Sequence, residues 1–189
     1  YSELRQVTLE TSSDVDQLTI TPSLKTEYIV KGGLTLISTN PGDAAALVLA
    51  GVDNQTFPVG PLDVSGHTTG TLTSTLHKSV SFTGIDRFTA DTPMDVVVAA
   101  SANQASGTDK FVVTRNVDDQ ELYVNDKLVF RAELTAVDNL RVNGSADVDL
   151  LTIDRSNGDP IPTGGITFVG DAGNDKLTVK GGTATDIEY

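Results

Sequence analysis

The chain has 189 residues, of which 26 are acidic and 13 basic, so its formal net charge is −13, and it contains no cysteine. The negative charge argues against nucleic acid as a partner, and the lack of cysteine excludes a disulfide framework. No stretch approaches the roughly 18 apolar residues that a transmembrane helix needs, so membrane insertion is not expected. Abundant Val and Thr, beside one Met and no Trp, predict an all-β fold.

The chain begins with Tyr1 and shows no signal peptide, which we interpret as processing of a longer chain or excision from one. No stretch has the composition of a linker between domains. We therefore treat residues 1–189 as a single repeat-built domain, with candidate sub-repeats at 1–90 and 91–189.

The first predicted element is a strand, a polar turn and a second strand within residues 7–20, VTLETSSDVDQLTI. Apolar and polar residues alternate on both sides of the turn, which is the pattern of half-buried strands. The turn carries a pair of acidic residues, Asp14 and Asp16.

Three elements are predicted in the middle of the chain. Residues 39–51 contain three consecutive alanines, but a Pro-Gly start and a Gly end leave little length for a helix, so we favour a strand. Residues 52–70 contain several proline and glycine turns and are predicted to form a loop. Residues 121–130 are predicted to form a hairpin, because Asn125 and Asp126 suit a tight two-residue turn.

The pattern of residues 7–20 recurs at 140–153, LRVNGSADVDLLTI, and at 166–179, ITFVGDAGNDKLTV. We call these segments the first, second and third copies. One column of their alignment contains only aspartate: Asp16, Asp149 and Asp175. Two further columns are apolar, and their residues are predicted to point inward: Leu18, Ile20, Leu151, Ile153, Leu177 and Val179.

The spacing between the second and third copies, which begin at Leu140 and Ile166, is within the period expected when each repeat forms one turn of a solenoid. One such unit cannot bury its own apolar face and must stack on a neighbouring unit, so the sequence repeats the pattern of inward side chains. We therefore predict a parallel β-helix or β-solenoid with some antiparallel hairpins. The alternative is a β-sandwich, in which short strands joined by polar turns are also common.

Several runs resemble repeats found in very large secreted bacterial surface proteins. One set reads TDKFVVT, LYVN and AVDNLRVNGSADVDLLTI, at 108–114, 122–125 and 136–153. A second set is similar to a companion repeat and reads PGD, GTLT and VSFTGIDRF, at 41–43, 70–73 and 80–88. The resemblance implies an extracellular, non-enzymatic array used for cell-surface structure or adhesion. The chain departs from the pattern at Ala136, where glycine is usual.

The run GDAGNDKLTV, residues 170–179, resembles the glycine- and aspartate-rich calcium repeat of haemolysin-type (RTX-like) proteins. The resemblance implies calcium as a cofactor, with Asp171, Asn174 and Asp175 as oxygen donors. Val169 replaces the first glycine, and no second copy follows nine residues later. Since calcium takes six to eight oxygen ligands, this half-site would bind it weakly. The alternative is a tight turn in which Asp and Asn side chains cap backbone amides.

Two further acidic pairs have the same two interpretations. Asp14 and Asp16 lie in the turn of the first copy, and Asp147 and Asp149 lie in the turn of the second. They would either stack with neighbouring acids into a cation site or remain solvated turn residues.

The sequence offers little for catalysis. Its only histidines are His67 and His77, and no zinc, nucleophile-elbow or phosphate-loop motif is present. The best enzymatic alternative is a β-helix enzyme that acts on acidic polysaccharide. The pair Asp118 and Asp119, taken with the Ser-Gly-His run that ends at His67, faintly resembles pectin hydrolases. That family places its histidine after the acidic pair, whereas His67 comes before it. We therefore predict that the chain is not an enzyme.

These observations predict a structural module of a bacterial surface layer, filament or adhesin stalk, secreted or held at the cell surface. The ends of a solenoid expose unpaired backbone groups, so we expect association with further copies or with flanking repeats of a longer array. The alternative is an adhesion module that contacts a surface glycan through residues 52–70. The four Tyr and six Phe are spread along the chain and form no platform for sugars.

Overall fold

The structure is a computed structural model that describes residues 7–11, 17–20, 34–38, 46–49, 56–59, 68–72, 80–85, 87–90, 93–99 and 107–182. Within these ranges the regular structure consists of β-strands and one short 3-10 helix, Leu134–Ala136, with no α-helix. The all-β prediction is confirmed.

The strands are rich in Val, Leu, Ile, Phe and Thr, which suit a pleated and half-buried surface. In chain order they are β1 (Val7–Thr11), β2 (Gln17–Ile20), β3 (Leu34–Ser38), β4 (Ala46–Leu49), β5 (Thr56–Val59), β6 (Thr68–Leu72), β7 (Val80–Ile85), β8 (Arg87–Ala90), β9 (Met94–Ala99), β10 (Asp109–Asn116), β11 (Asp119–Val124), β12 (Lys127–Glu133), β13 (Val137–Asn143), β14 (Asp149–Asp154), β15 (Ile166–Val169) and β16 (Lys176–Lys180).

These strands form two eight-stranded sheets. Sheet A has the order β1-β3-β7-β6-β5-β9-β13-β15, and sheet B has the order β16-β14-β10-β11-β12-β8-β4-β2. The outermost three strands at either side of each sheet are parallel. Antiparallel pairs lie between them. Because two antiparallel steps restore the original direction, the strands at opposite edges of each sheet run the same way.

The copies divide between the two sheets. Strands β13 and β15 lie in sheet A, whereas β14 and β16 lie in sheet B. Leu140 pairs with Ile166 in sheet A, and Leu151 pairs with Leu177 in sheet B. In both pairs the partner is the residue that occupies the same column of the next copy. The alignment of the second and third copies is therefore also the register of their strands.

The first copy follows the same route, with β1 in sheet A and β2 in sheet B. Val7 pairs with Leu34, and Leu18 pairs with Leu47. Each of these partners belongs to the next strand of the same sheet, at a sequence distance close to that between the second and third copies. Parallel pairing over similar distances therefore occurs at both ends of the described chain.

The antiparallel hairpins occupy the middle of the sheets. Strands β5 and β6 lie between β7 and β9 in sheet A, and β11 and β12 lie between β10 and β8 in sheet B. The hairpin predicted at residues 121–130 is confirmed, with Asn125 and Asp126 at φ 50° and 65° in its turn. Those positive angles are the ones a two-residue hairpin turn requires.

Two predictions for the earlier residues have different outcomes. The strand favoured within 39–51 is confirmed by β4. The loop predicted at 52–70 is wrong for its strand residues, because β5 lies within it and pairs with β9, and β6 begins at Thr68. Thr56 pairs with Asp95, which is distant in the sequence, so the local proline and glycine signals do not indicate this pairing.

The inner faces of both sheets share one apolar cluster, which forms the core. Phe82 of sheet A packs edge-on against Phe88 of sheet B, with 5.2 Å between ring centroids. Phe111 of sheet B meets Phe168 of sheet A at 6.5 Å. Such aromatic contacts add to the free energy gained from buried apolar area. The two sheets are therefore held face to face by a common core.

The predicted inward residues differ in burial along sheet B. Leu151 and Ile153 are buried, as predicted, whereas their partners Leu177 and Val179 are 54% and 46% exposed. Leu177 and Val179 continue these inward rows but are not buried, because β16 is the last strand of sheet B among the described residues and no further described strand covers them. The side chains of Leu18 and Ile20 lie outside the described part of the chain.

This difference gives a direct test of the register. Replacing Leu151 by Ala should lower the free energy of unfolding by about 2–5 kcal/mol, because Leu151 is 1% exposed. Replacing its strand partner Leu177 by Ala should change it by at most about 0.5 kcal/mol. Urea denaturation followed by circular dichroism measures both changes. Equal losses for the two variants would contradict the register and the burial described above.

Candidate functional site

The turns of the second and third copies lie against each other, immediately before β14 and β16. A Cβ atom added to Gly173 would lie only 2.2 Å from the carbonyl oxygen of Asp147, so the two turn backbones are in close contact. Gly173 also has a φ of 140°, which favours glycine. This contact brings the acidic residues of the two copies together.

Aspartate side chains in these turns accept hydrogen bonds from backbone amides. The Ser145 amide donates to Asp149 Oδ2 at 2.7 Å, and the Asp149 amide donates to Asp175 Oδ1 at 2.9 Å. A Cβ atom at Gly144 would lie 2.2 Å from Asp149 Oδ2. In the third copy, a Cβ atom at Gly170 would lie 2.3 Å from Asp175 Oδ2. Both glycines therefore make room for the carboxylate of the aspartate that follows in the same turn.

Asp109 extends the aspartate column of the repeat into β10. It is the parallel partner of Asp149, and its Oδ1 accepts a hydrogen bond from Asn125 Nδ2 at 2.9 Å. The Lys110 amide donates in turn to Asn125 Oδ1 at 3.0 Å. Asn125 therefore connects the β11–β12 turn with the start of β10. We call the following four residues the aspartate cluster: Asp109, Asp147, Asp149 and Asp175.

Asp149 is the most buried member of the aspartate cluster. The residue is 0% exposed, and its Oδ1 has no hydrogen-bond partner among the described residues. Burial raises the pKa of the Asp149 carboxyl above its ordinary value, and the hydrogen bond from the Ser145 amide opposes that rise. The negative charges of the other three members raise the pKa further: Asp109, Asp175 and Asp147. The unpartnered oxygen is therefore placed where a proton or a cation would be favoured.

The structure brings together only some of the predicted metal ligands. Asp147 is exposed, and its Oδ2 accepts a hydrogen bond from the Gly107 amide at 3.3 Å. Asp171 and Asn174 are also exposed on the turn of the third copy. In the part of the chain that the structure describes, no group of three acidic, histidine or cysteine side chains is arranged to hold a metal ion.

Asp14 and Asp16 lie outside the described residues. Of the predicted ligands that are described, Asp149 and Asp175 are joined by a hydrogen bond, and both accept amide hydrogen bonds of the kind expected for a turn. Asp149 Oδ2 and Asp175 Oδ1 have the amide donors that the turn interpretation expects, whereas Asp149 Oδ1 has no partner among the described residues.

A second polar cluster lies across β8, β11 and β12 of sheet B and was not predicted. Arg87 donates to Asp119 through Nε at 3.1 Å and through Nη2 at 2.9 Å. The same Nη2 donates to Glu133 at 2.9 Å. Such a two-pronged Arg–carboxylate contact is geometrically specific. The contacts join residues that are 32 and 46 residues apart in the chain, so no local sequence pattern reveals them.

Glu121 is the buried carboxylate of this cluster, with 3% of its surface exposed. It accepts hydrogen bonds from Arg131, from Asn116 Nδ2 at 3.1 Å and from Tyr123 Oη at 2.9 Å. Burial by itself would raise the pKa of Glu121, but these hydrogen bonds outweigh burial and lower the pKa below its ordinary value. Glu121 is therefore an ionised and well-partnered structural group.

Of the residues that suggested an enzymatic alternative, the acidic pair Asp118 and Asp119 lies within the described part of the chain. Asp119 is bound by Arg87, and Asp118 is exposed with its Oδ1 3.6 Å from Arg115 Nη2. Both histidines, His67 and His77, lie outside the described residues. Asp118 and Asp119 thus take part in ion pairs with arginine side chains.

No family model, no curated protein and no solved structure matches this chain. Among the residues that the structure describes, no helix is long and apolar enough to cross a membrane.

The buried carboxyl of Asp149 predicts an unusual pH dependence. Because its folded-state pKa is raised, ionised Asp149 costs stability above that pKa, and the cost disappears as the pH falls through it toward the ordinary value of 3.8. Replacing Asp149 by Asn should therefore raise the free energy of unfolding at neutral pH by about 1–3 kcal/mol, since the neutral amide removes a buried negative charge that lies near three other carboxylates.

The advantage of Asp149→Asn should shrink as the pH is lowered and be smallest near pH 3.8. Denaturant unfolding of both proteins in a chelator, from pH 7 downward, measures this difference directly. The exposed Asp171→Asn is the matched control, and it should show no such trend. A variant at Asp149 that is less stable than the parent at neutral pH would contradict the buried-charge explanation.

Proposed function

We propose that the chain is a non-enzymatic structural module of an extracellular array, such as a bacterial surface layer, a filament or an adhesin stalk. The observation that carries this proposal is the pairing of equivalent residues of the second and third copies in both sheets. Leu140 meets Ile166 in sheet A, and Leu151 meets Leu177 in sheet B. A chain that stacks like residues upon like is suited to extension along one axis.

We further propose that the copies are successive turns of a β-solenoid, flattened into two sheets and interrupted by hairpins. Three features support this interpretation: each copy crosses from sheet A to sheet B, like strands pair in parallel, and the last two copies have the spacing of one solenoid turn. The boundary between the two candidate sub-repeats, 1–90 and 91–189, falls between β8 and β9. Strands before it supply five members of sheet A and three of sheet B, and strands after it supply three and five.

The proposed place in a surface array has a direct test. Antibodies against the chain should label the outer surface of intact cells that produce it, seen as gold particles on the envelope by electron microscopy. A mild protease added to intact cells should remove that label, whereas a cytoplasmic protein should resist the treatment. Label confined to the cell interior would overturn the proposal.

Calcium is proposed as an accessory stabiliser of the aspartate cluster. The support is Asp149 Oδ1, a buried oxygen without a described partner, whose carboxyl experiences the charges of three other carboxylates. A hard cation with oxygen ligands would offset that repulsion. The described side chains alone provide too few ligands, so backbone carbonyls or water would complete the coordination.

Calcium should therefore raise the melting temperature of the parent chain relative to the same protein in a chelator. Asp149→Asn should abolish this increase, because it replaces the buried charge while keeping an oxygen that can accept the Ser145 amide. Asp126→Asn, an exposed change in the hairpin turn, is the control and should keep the increase. Equal melting temperatures of the parent chain in calcium and in chelator would exclude the metal and leave the turn interpretation.

A further inference from the structure

The edge formed by β15 and β16 has the features of an incomplete sheet. Strand β15 is the last described strand of sheet A, and β16 is the last of sheet B. On β16, Leu177 and Val179 are 54% and 46% exposed, although they continue the rows that contain the buried Leu151 and Ile153. Edge strands with exposed apolar side chains are templates for a further strand.

The opposite edge of the described sheets is formed by β1 and β2. These strands run in the same direction as β15 and β16, because each sheet contains two antiparallel steps between its ends. A second molecule placed head to tail would therefore present β1 to β15 and β2 to β16 in parallel orientation. Parallel pairing is also the arrangement by which β13 and β14 already hold the two edge strands.

The first copy, which forms the edge strands β1 and β2, aligns with the third copy, which forms the edge strands β15 and β16, in the same way as the second copy does. In the third copy the strands begin at Ile166 and Lys176, and in the first copy they begin at Val7 and Gln17, so the offset between the two strands is the same. The run that ends the third copy, DKLTV, corresponds to DQLTI in the first, at residues 175–179 and 16–20. The first copy therefore has the spacing and the side chains that a strand added beyond β16 would need.

From this match we propose that β1 and β2 of one molecule add to β15 and β16 of a second, with Leu18 beside Leu177 and Ile20 beside Val179. The occupant of the edge is thus another copy of this chain. Because the joined surfaces differ, the contact does not close, and molecules add in one direction to form a filament. The inference rests on the proposed structural role and gives it a polarity and a register.

Electrostatics sets the conditions for this joint. The net charge of −13 opposes association at low ionic strength, so added salt should favour it. In the proposed register Asp16 continues the aspartate column beside Asp175, and this like-charge contact also opposes the joint at low ionic strength.

The absence of cysteine in the sequence allows the register to be tested by disulfide formation. Cysteine is introduced singly, as Thr178→Cys in one preparation and Thr19→Cys in another, and the two are mixed at raised ionic strength in a chelator. In the proposed register these positions are adjacent, about 4.8 Å apart, which a disulfide can span. Gln17→Cys is the matched control, because it lies about 8 Å from position 178 and cannot be bridged.

The expected result is a mixed dimer of Thr178→Cys with Thr19→Cys, at least tenfold more abundant than with Gln17→Cys. Sedimentation of the unmodified chain should show oligomers that Leu177→Asp removes. Val117→Asp should not remove them, because Val117 is 78% exposed but lies in the turn between β10 and β11, away from the joint.

Two results would overturn the joint. One is a chain that remains monomeric at every salt concentration and forms no mixed dimer, which would assign the edge to a flanking repeat. The other is a disulfide formed only between two Thr178→Cys molecules, which would indicate a tail-to-tail contact. Neither result affects the surface labelling of intact cells, so failure of the joint and failure of the proposed function are distinguishable.

Discussion

Parallel pairing of like residues is the constraint on which the rest of the structure depends. Leu151 lies beside Leu177, and Ile153 lies beside Val179. Each row of paired side chains in the sheet therefore consists of residues from one column of the alignment of successive copies. A shift of the register by a single position would turn every apolar side chain of the strand to the outer face. Where a row is buried, as at Leu151 and Ile153, burial therefore holds the register. The register also determines which turns and which aspartates meet.

The shared core explains why two sheets form. Each sheet has an apolar inner face that must be covered, and the Phe82–Phe88 and Phe111–Phe168 contacts show the sheets covering each other. The hairpins in the middle of the sheets join strands from before and after residue 90. At the β16 edge no described strand continues the cover, which leaves Leu177 and Val179 exposed.

The two polar clusters show opposite electrostatic solutions. Glu121 is buried with several donors, so it stays ionised and its pKa is lowered. Asp149 is buried with one amide donor and three neighbouring carboxylates, so its pKa is raised. The first arrangement contributes stability that is present above the ordinary pKa of 4.5 and is lost as the pH falls through the lowered value. The second arrangement favours the protonated form of the carboxyl.

The sequence by itself determined the all-β fold, the β11–β12 hairpin and the alignment of the second and third copies. These features follow from the local alternation of apolar and polar residues, from turn residues and from a repeated pattern, all of which can be recognised within short stretches of the chain. Only the tertiary structure decided three features: the strand character of β5, the cluster around Arg87 and the exposure of Leu177. These features depend on which strands become neighbours and on where a sheet ends. The Arg87 contacts span 32 and 46 residues, so they leave no local signal in the sequence. The position of Asp149 in an aspartate column could be predicted from the sequence. The burial of its Oδ1, which has no partner among the described residues, arises only when the two turns stack.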